Sequence, residues 1–143
     1  MITKYLRVQE ASDPAIRRLL AEVVDSIEKL ELLVHLSQVG PATSPTLASK
    51  LGLPEPMVAE AITALIASGV AAKHPDKSIH YVPDTPHHAT VIALAKLYEE
   101  DRIIVLRLIT QISIERVRSE AVRVFADAFV FRAPKKPKGE SDD

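Results

Sequence analysis

Residues 44–53 read Ser44-Pro45-Thr46-Leu47-Ala48-Ser49-Lys50-Leu51-Gly52-Leu53, and after Pro54 the apolar residues Val58, Ile62, Leu65 and Ile66 lead to Gly69. A hydroxyl residue followed by proline opens a helix, because proline's missing N–H is one the first turn does not use. That helix is predicted over Thr46–Leu51 and closes at Gly52. A second runs from about Glu55 to Ser68 and is closed by Gly69. Two short helices joined by a tight glycine turn form a helix-turn-helix. Leu47, Leu51, Ile62, Leu65 and Ile66 are predicted to be buried together, since they repeat at helical spacing.

Downstream, Val70-Ala71-Ala72-Lys73 and Ile79-His80-Tyr81-Val82 are short β-prone runs. The turn formers His74-Pro75-Asp76-Lys77-Ser78 separate them, so a hairpin is expected directly after the second motif helix. Such a hairpin is a wing. Upstream, Ser12-Asp13-Pro14 starts a helix carrying Ile16, Leu19, Leu20, Val23 and Val24. Asp25-Ser26-Ile27-Glu28 has the form of a capping box, so the chain restarts there with Ile27, Leu30, Val34 and Leu36 and stops at Gly40-Pro41.

From Pro86 to Phe131 there is no further proline and no glycine. One very long helix or two are expected. Val91, Leu94, Tyr98, Val105, Leu108 and Ile112 form one stripe; Ile114, Val117, Ala121, Val124, Ala128 and Phe131 form another. The stripes are out of phase near residues 110–113, which predicts a kink or phase slip there. An apolar strip of this extent on so small a chain predicts a dimer interface. Glu99-Glu100-Asp101-Arg102 interrupts the first stripe and reads as a solvated face or as salt bridges across a dimer. The division expected is an N-terminal arm (1–13), a winged helix-turn-helix domain (14–85), a helical dimerisation region (86–132) and a charged, structureless tail (133–143).

Composition narrows the function. The chain has 143 residues, 47% of them hydrophobic but only 4% aromatic, so its core is aliphatic. It has no cysteine, which removes disulfides, thiolate metal sites and cysteine nucleophiles. His74, His80, His87 and His88 lie near the wing, but adjacent His87 and His88 point apart on a helix and do not suggest a shared metal. His35 reads as a half-buried ring. No phosphate loop, nucleophile motif or loop carboxylate pair is present, so neither an enzyme nor a cofactor is expected. The N-terminus has no apolar leader and no segment reaches the length of a membrane span, so a cytoplasmic, non-membrane protein is expected.

The pattern of residues 44–53, then Val58, Ile62, Leu65-Ile66, Gly69-Val70 and the hairpin, resembles the MarR-type winged-helix regulators over residues 14–131. The resemblance implies a mainly α winged helix-turn-helix fold, with N- and C-terminal helices building a homodimer that binds double-stranded DNA. The dimer residues it implies are Val91, Leu94, Tyr98, Val105, Leu108, Ile112, Ile114, Val117, Ala121, Val124 and Ala128. Candidate DNA contacts are Ser44, Thr46, Ser49, Lys50 and Thr63 on the motif and Lys73 and Lys77 on the wing.

Two features depart from the pattern. The wing has Asp76-Lys77 where the family places an arginine beside an aspartate. The solvent face of the second motif helix should present Glu55, Pro56, Ala59, Glu60, Thr63 and Ala67, without the Arg, Lys, Asn or Gln that read bases. Residues 40–85 hold three cations (Lys50, Lys73, Lys77) against four carboxylates (Glu55, Glu60, Asp76, Asp84), and the whole chain has a net charge of −1. Nucleic-acid affinity rests on phosphate neutralisation. A second reading therefore stands beside the first: a winged-helix module that binds another protein and not DNA.

Overall fold

The computed structural model describes residues 13–141, with side chains described for residues 13–129. Among them are six helices and one two-stranded sheet: α1 (Pro14–Glu22), α2 (Ile27–Gln38), α3 (Ser44–Leu51), α4 (Glu55–Ala67), β1 (Ala71–Lys73), β2 (Ile79–Tyr81), α5 (His88–Glu100) and α6 (Arg102–Ser141). The expected N-terminal arm, apart from residue 13, lies outside the described residues.

The local signals act as the sequence suggests. The Asp13 carboxylate accepts from the Ala15 N–H at 2.9 Å and Pro14 begins α1. The Ser26 hydroxyl accepts from the Lys29 N–H at 3.2 Å and starts α2. Gly52 ends α3 with φ 67° and ψ 34°, left-handed backbone that costs a glycine little because it has no Cβ. Its N–H and that of Leu53 both donate to the Ala48 carbonyl.

Helices α3 and α4 pack on each other and on α2, and β1 lies along α4, which gives the winged helix-turn-helix. Leu47, Val58, Ile62 and Leu65 are buried in this core beside Leu30, Leu33 and Leu36 of α2. Leu51 is partly buried, but Ile66 is 36% exposed and does not join the core. The interior side of α4 is already filled by Val58, Ala61, Ile62 and Leu65, and one helix cannot turn Ile66 inward as well.

Helices α1, α5 and α6 form the second layer. Asp101 breaks the C-terminal region in two: its φ of −150° and ψ of 79° end α5, and its carboxylate accepts from the Ile104 N–H at 3.3 Å to start α6. The helix is unbroken through residues 110–113, where a kink or phase slip was expected. The change of phase is a change of face. Val105, Leu108, Ile109 and Ile112 point into the body, whereas Ile114, Val117 and Val124 are 48%, 67% and 59% exposed on the roughly opposite side.

This corrects the predicted interface. Val91, Leu94, Tyr98, Val105, Leu108 and Ile112 are buried within the chain's own core and are not available to a second copy. The Glu99–Arg102 segment is also tied within the chain, through Asp101 and through an Arg102–Glu31 ion pair at 3.2 Å.

Polar contacts tie α6 to the body at Glu115, with Arg17 at 3.5 Å, and at Arg116, with Asp25 at 3.7 Å and with the Ala21 carbonyl at 2.6 Å. Beyond them the helix projects as an arm. Its backbone stays helical to Ser141, through residues 133–141 that were expected to be structureless. Extending a helix already under way forms one hydrogen bond per residue fixed, whereas starting one does not.

Candidate nucleic-acid interface

The wing is built around an aspartate. The register pairs Ala71 with Tyr81, Ala72 with His80 and Lys73 with Ile79. In the turn, the Asp76 carboxylate accepts from the Ser78 N–H at 3.0 Å and from the Ser78 hydroxyl at 2.7 Å. These bonds hold the carboxyl below its usual range, and the nearby His74 adds to the effect. The Lys77 N–H donates to the His74 carbonyl at 2.8 Å, and the Ser78 carbonyl accepts from the His74 N–H at 2.8 Å. Closing this turn puts Lys77 at φ 72°, left-handed backbone that disfavours a side chain. The Asp76 clamp offsets that cost and fixes Lys77 at the hairpin tip.

The hairpin is also tied to the motif. Ala42 and Ile79 exchange both backbone hydrogen bonds, at 3.1 and 2.8 Å. The start of α3, carrying Ser44 and Thr46, therefore sits against the wing. Lys73 and Lys77 are exposed, as are Thr46, Ser49 and Lys50; Ser44 is half-buried. Lys50 lies close enough to His35 that its charge, after burial, is the second cause lowering that imidazole's pKa.

Thr63 is exposed on the outer face of α4, but its hydroxyl donates to the Ala59 carbonyl at 3.0 Å. That hydroxyl is therefore engaged with its own helix. Around it the face presents Glu55, Pro56, Met57, Ala59, Glu60, Ile66 and Ala67. The candidate contacts thus separate into a cationic wing joined to the start of α3, and an α4 face that is acidic and apolar.

Sequence reading did not find the Asp76 clamp, the Ala42–Ile79 bridge or the Tyr98–Glu31–Arg102 cluster. Asp76-Lys77-Ser78 between two β-prone runs was the available signal for the clamp. Nothing local marks the others. In the cluster, Glu31 accepts from the Tyr98 hydroxyl 67 residues along the chain and from Arg102, whose guanidinium lies 5.5 Å from the Tyr98 ring centroid. Burial first, then the Glu31 hydrogen bond and charge, push the Tyr98 phenol up to about 12.

No group of three or more metal-ligating side chains occurs among the described residues, and no helix among them is long and apolar enough to cross a membrane. The chain matches no protein-family model and no curated protein sequence. Among solved structures it is similar to RV1404 from Mycobacterium tuberculosis, at 20% identity and a TM-score of 0.47, covering 89% of this chain and 86% of that one. It is also similar to the MarR family transcription regulator SP03579, at 17% identity and a TM-score of 0.44, covering 88% of this chain and 86% of that one.

Proposed function

We propose that the chain is a cytoplasmic, homodimeric winged-helix regulator of transcription that binds double-stranded DNA. The observation that carries this reading is the wing: a hairpin clamped by Asp76, joined to the start of α3, and presenting Lys73 and Lys77 to solvent. Such an element meets the phosphate backbone. The face of α4 contributes little base reading, because Glu55 and Glu60 repel phosphate and Thr63 is held by its own helix. Dimerisation doubles the wings and uses the outward stripe Ile114, Val117, Ala121, Val124 and Ala128.

Fluorescence anisotropy on duplex DNA over a salt series tests the reading. Each neutralised phosphate contributes about 0.9 to the log–log slope, so replacing Lys73 and Lys77 by alanine in both subunits shrinks it by up to ~4. Glu60→Gln tightens binding by removing a like charge from the groove side. A wild type that binds no duplex at low salt, or a slope untouched by the double alanine variant, overturns the proposal.

One observation favours a second reading. Met57 and Ile66 are 42% and 36% exposed on the outer face of α4 beside Glu55 and Glu60. A mixed apolar and acidic face suits a protein partner with complementary cations, which is the interaction-module alternative.

A further inference from the structure

Thr63 is the candidate DNA contact whose role the wing does not explain. Val58, Ala61, Ile62 and Leu65 turn the inner side of α4 into the core. At about 100° per residue, Thr63 stands nearly opposite them, close to the midline of the outer face. It is exposed, and so are its neighbours one turn away on the same side, Ala59 and Ala67. Those two side chains are too short to hold a groove away from it. Met57 and Ile66, also exposed, lie to either flank.

The Thr63 hydroxyl donates to the Ala59 carbonyl at 3.0 Å, so it turns back along the helix. What the residue presents outward is its methyl group. Glu60 shares this face, and a carboxylate can only accept. In the major groove guanine shows two acceptors, N7 and O6, which Glu60 repels. Thymine shows a C5 methyl that an apolar group can cover, and the adenine paired with it shows an amino donor that a carboxylate tolerates.

We infer that Thr63 selects A·T pairs, by packing its methyl group on the C5 methyl of a thymine in the major groove. The inference rests on the proposed DNA binding and adds to it which duplex is preferred. Lys73 and Lys77 fix the position of the protein on the phosphates and carry no sequence information. Sequence is then read by one apolar contact per subunit. Such a reading is weak, in keeping with a face that offers no donor to a base.

Fluorescence anisotropy at low salt on two alternating A·T duplexes, one with thymine and one with uracil in its place, isolates the methyl. Wild type should bind the thymine duplex more tightly, by about fourfold for each subunit and on the order of tenfold for a dimer, the worth of one methyl per subunit taken out of water. Thr63→Ser keeps the hydroxyl and removes the methyl, and should bind the two duplexes equally. Thr63→Val keeps the methyl and removes the hydroxyl, and should discriminate as the wild type does. Equal binding of both duplexes by the wild type, or discrimination that survives in Thr63→Ser, overturns the inference and leaves the DNA reading standing. A wild type that binds neither duplex overturns both.

Discussion

Residues 102–112 and residues 114–129 of α6 belong to one continuous helix and are similarly rich in aliphatic side chains, but their surroundings differ. In the first segment Val105, Leu108, Ile109 and Ile112 are 0–7% exposed, covered by α1 and α5. In the second, Val117, Val124, Phe125 and Phe129 are 59–73% exposed. Helical periodicity determines which residues share a face. Whether that face is covered depends on how far the other helices reach. At 1.5 Å per residue, the 40 residues of α6 extend about 60 Å, well past a body of this size. The inner segment is part of the core, while the outer one carries the exposed stripe that the proposed dimer would use.

The largest effect should come from the inner segment. Val105→Asp sets an unpaired carboxylate in a fully buried site and should cost at least about 3–5 kcal/mol, leaving the protein unfolded by circular dichroism. The same change at exposed Val117 should leave the monomer's denaturation midpoint nearly unchanged while abolishing association. Equal loss of stability at both sites would erase the distinction between the segments. Next in size, Leu65→Ala in the motif core should cost roughly 2–5 kcal/mol in urea unfolding, through lost burial and a cavity. Ile66→Ala, one residue on but 36% exposed, should cost clearly less.

These two neighbours show how much the sequence conveys. The helix–turn–helix was legible because its signals are local: Pro45, Gly52, Gly69 and the spacing of Leu47, Ile62 and Leu65. The hairpin was legible from turn formers between two β-prone runs. The placement of Ile66 was not, because an apolar residue at the margin of a stripe is decided by the width of the neighbouring helix. The end of α5 at Asp101 was also hidden, since Glu99–Arg102 reads as a solvated face or as salt bridges across a dimer. Of the candidate DNA contacts, exposure at Lys73 and Lys77 was readable from the hairpin. The Thr63 hydroxyl's bond to Ala59 was not, because a helical threonine can turn either way.

A smaller effect tests the joint between the segments and the body. The Tyr98 phenol, raised to about 12 by burial and by Glu31, should ionise late in a spectrophotometric titration. The folded form holds this proton more tightly than an unfolded chain, whose phenol titrates near 10. The contribution is therefore complete below pH ~10 and is lost as pH rises towards 12. Glu31→Gln removes the carboxylate and should bring the phenol down towards its ordinary value; an unchanged titration would mean that Glu31 does not hold this corner.

The contrast between the covered and uncovered halves of α6 is tested most directly by light scattering on the purified protein at micromolar concentration. The account predicts a mass twice that of the 15.7 kDa chain for the wild type, and the mass of a single, folded chain for Val117→Asp. A wild type that scatters as a monomer would contradict it, and so would a variant that remains a dimer.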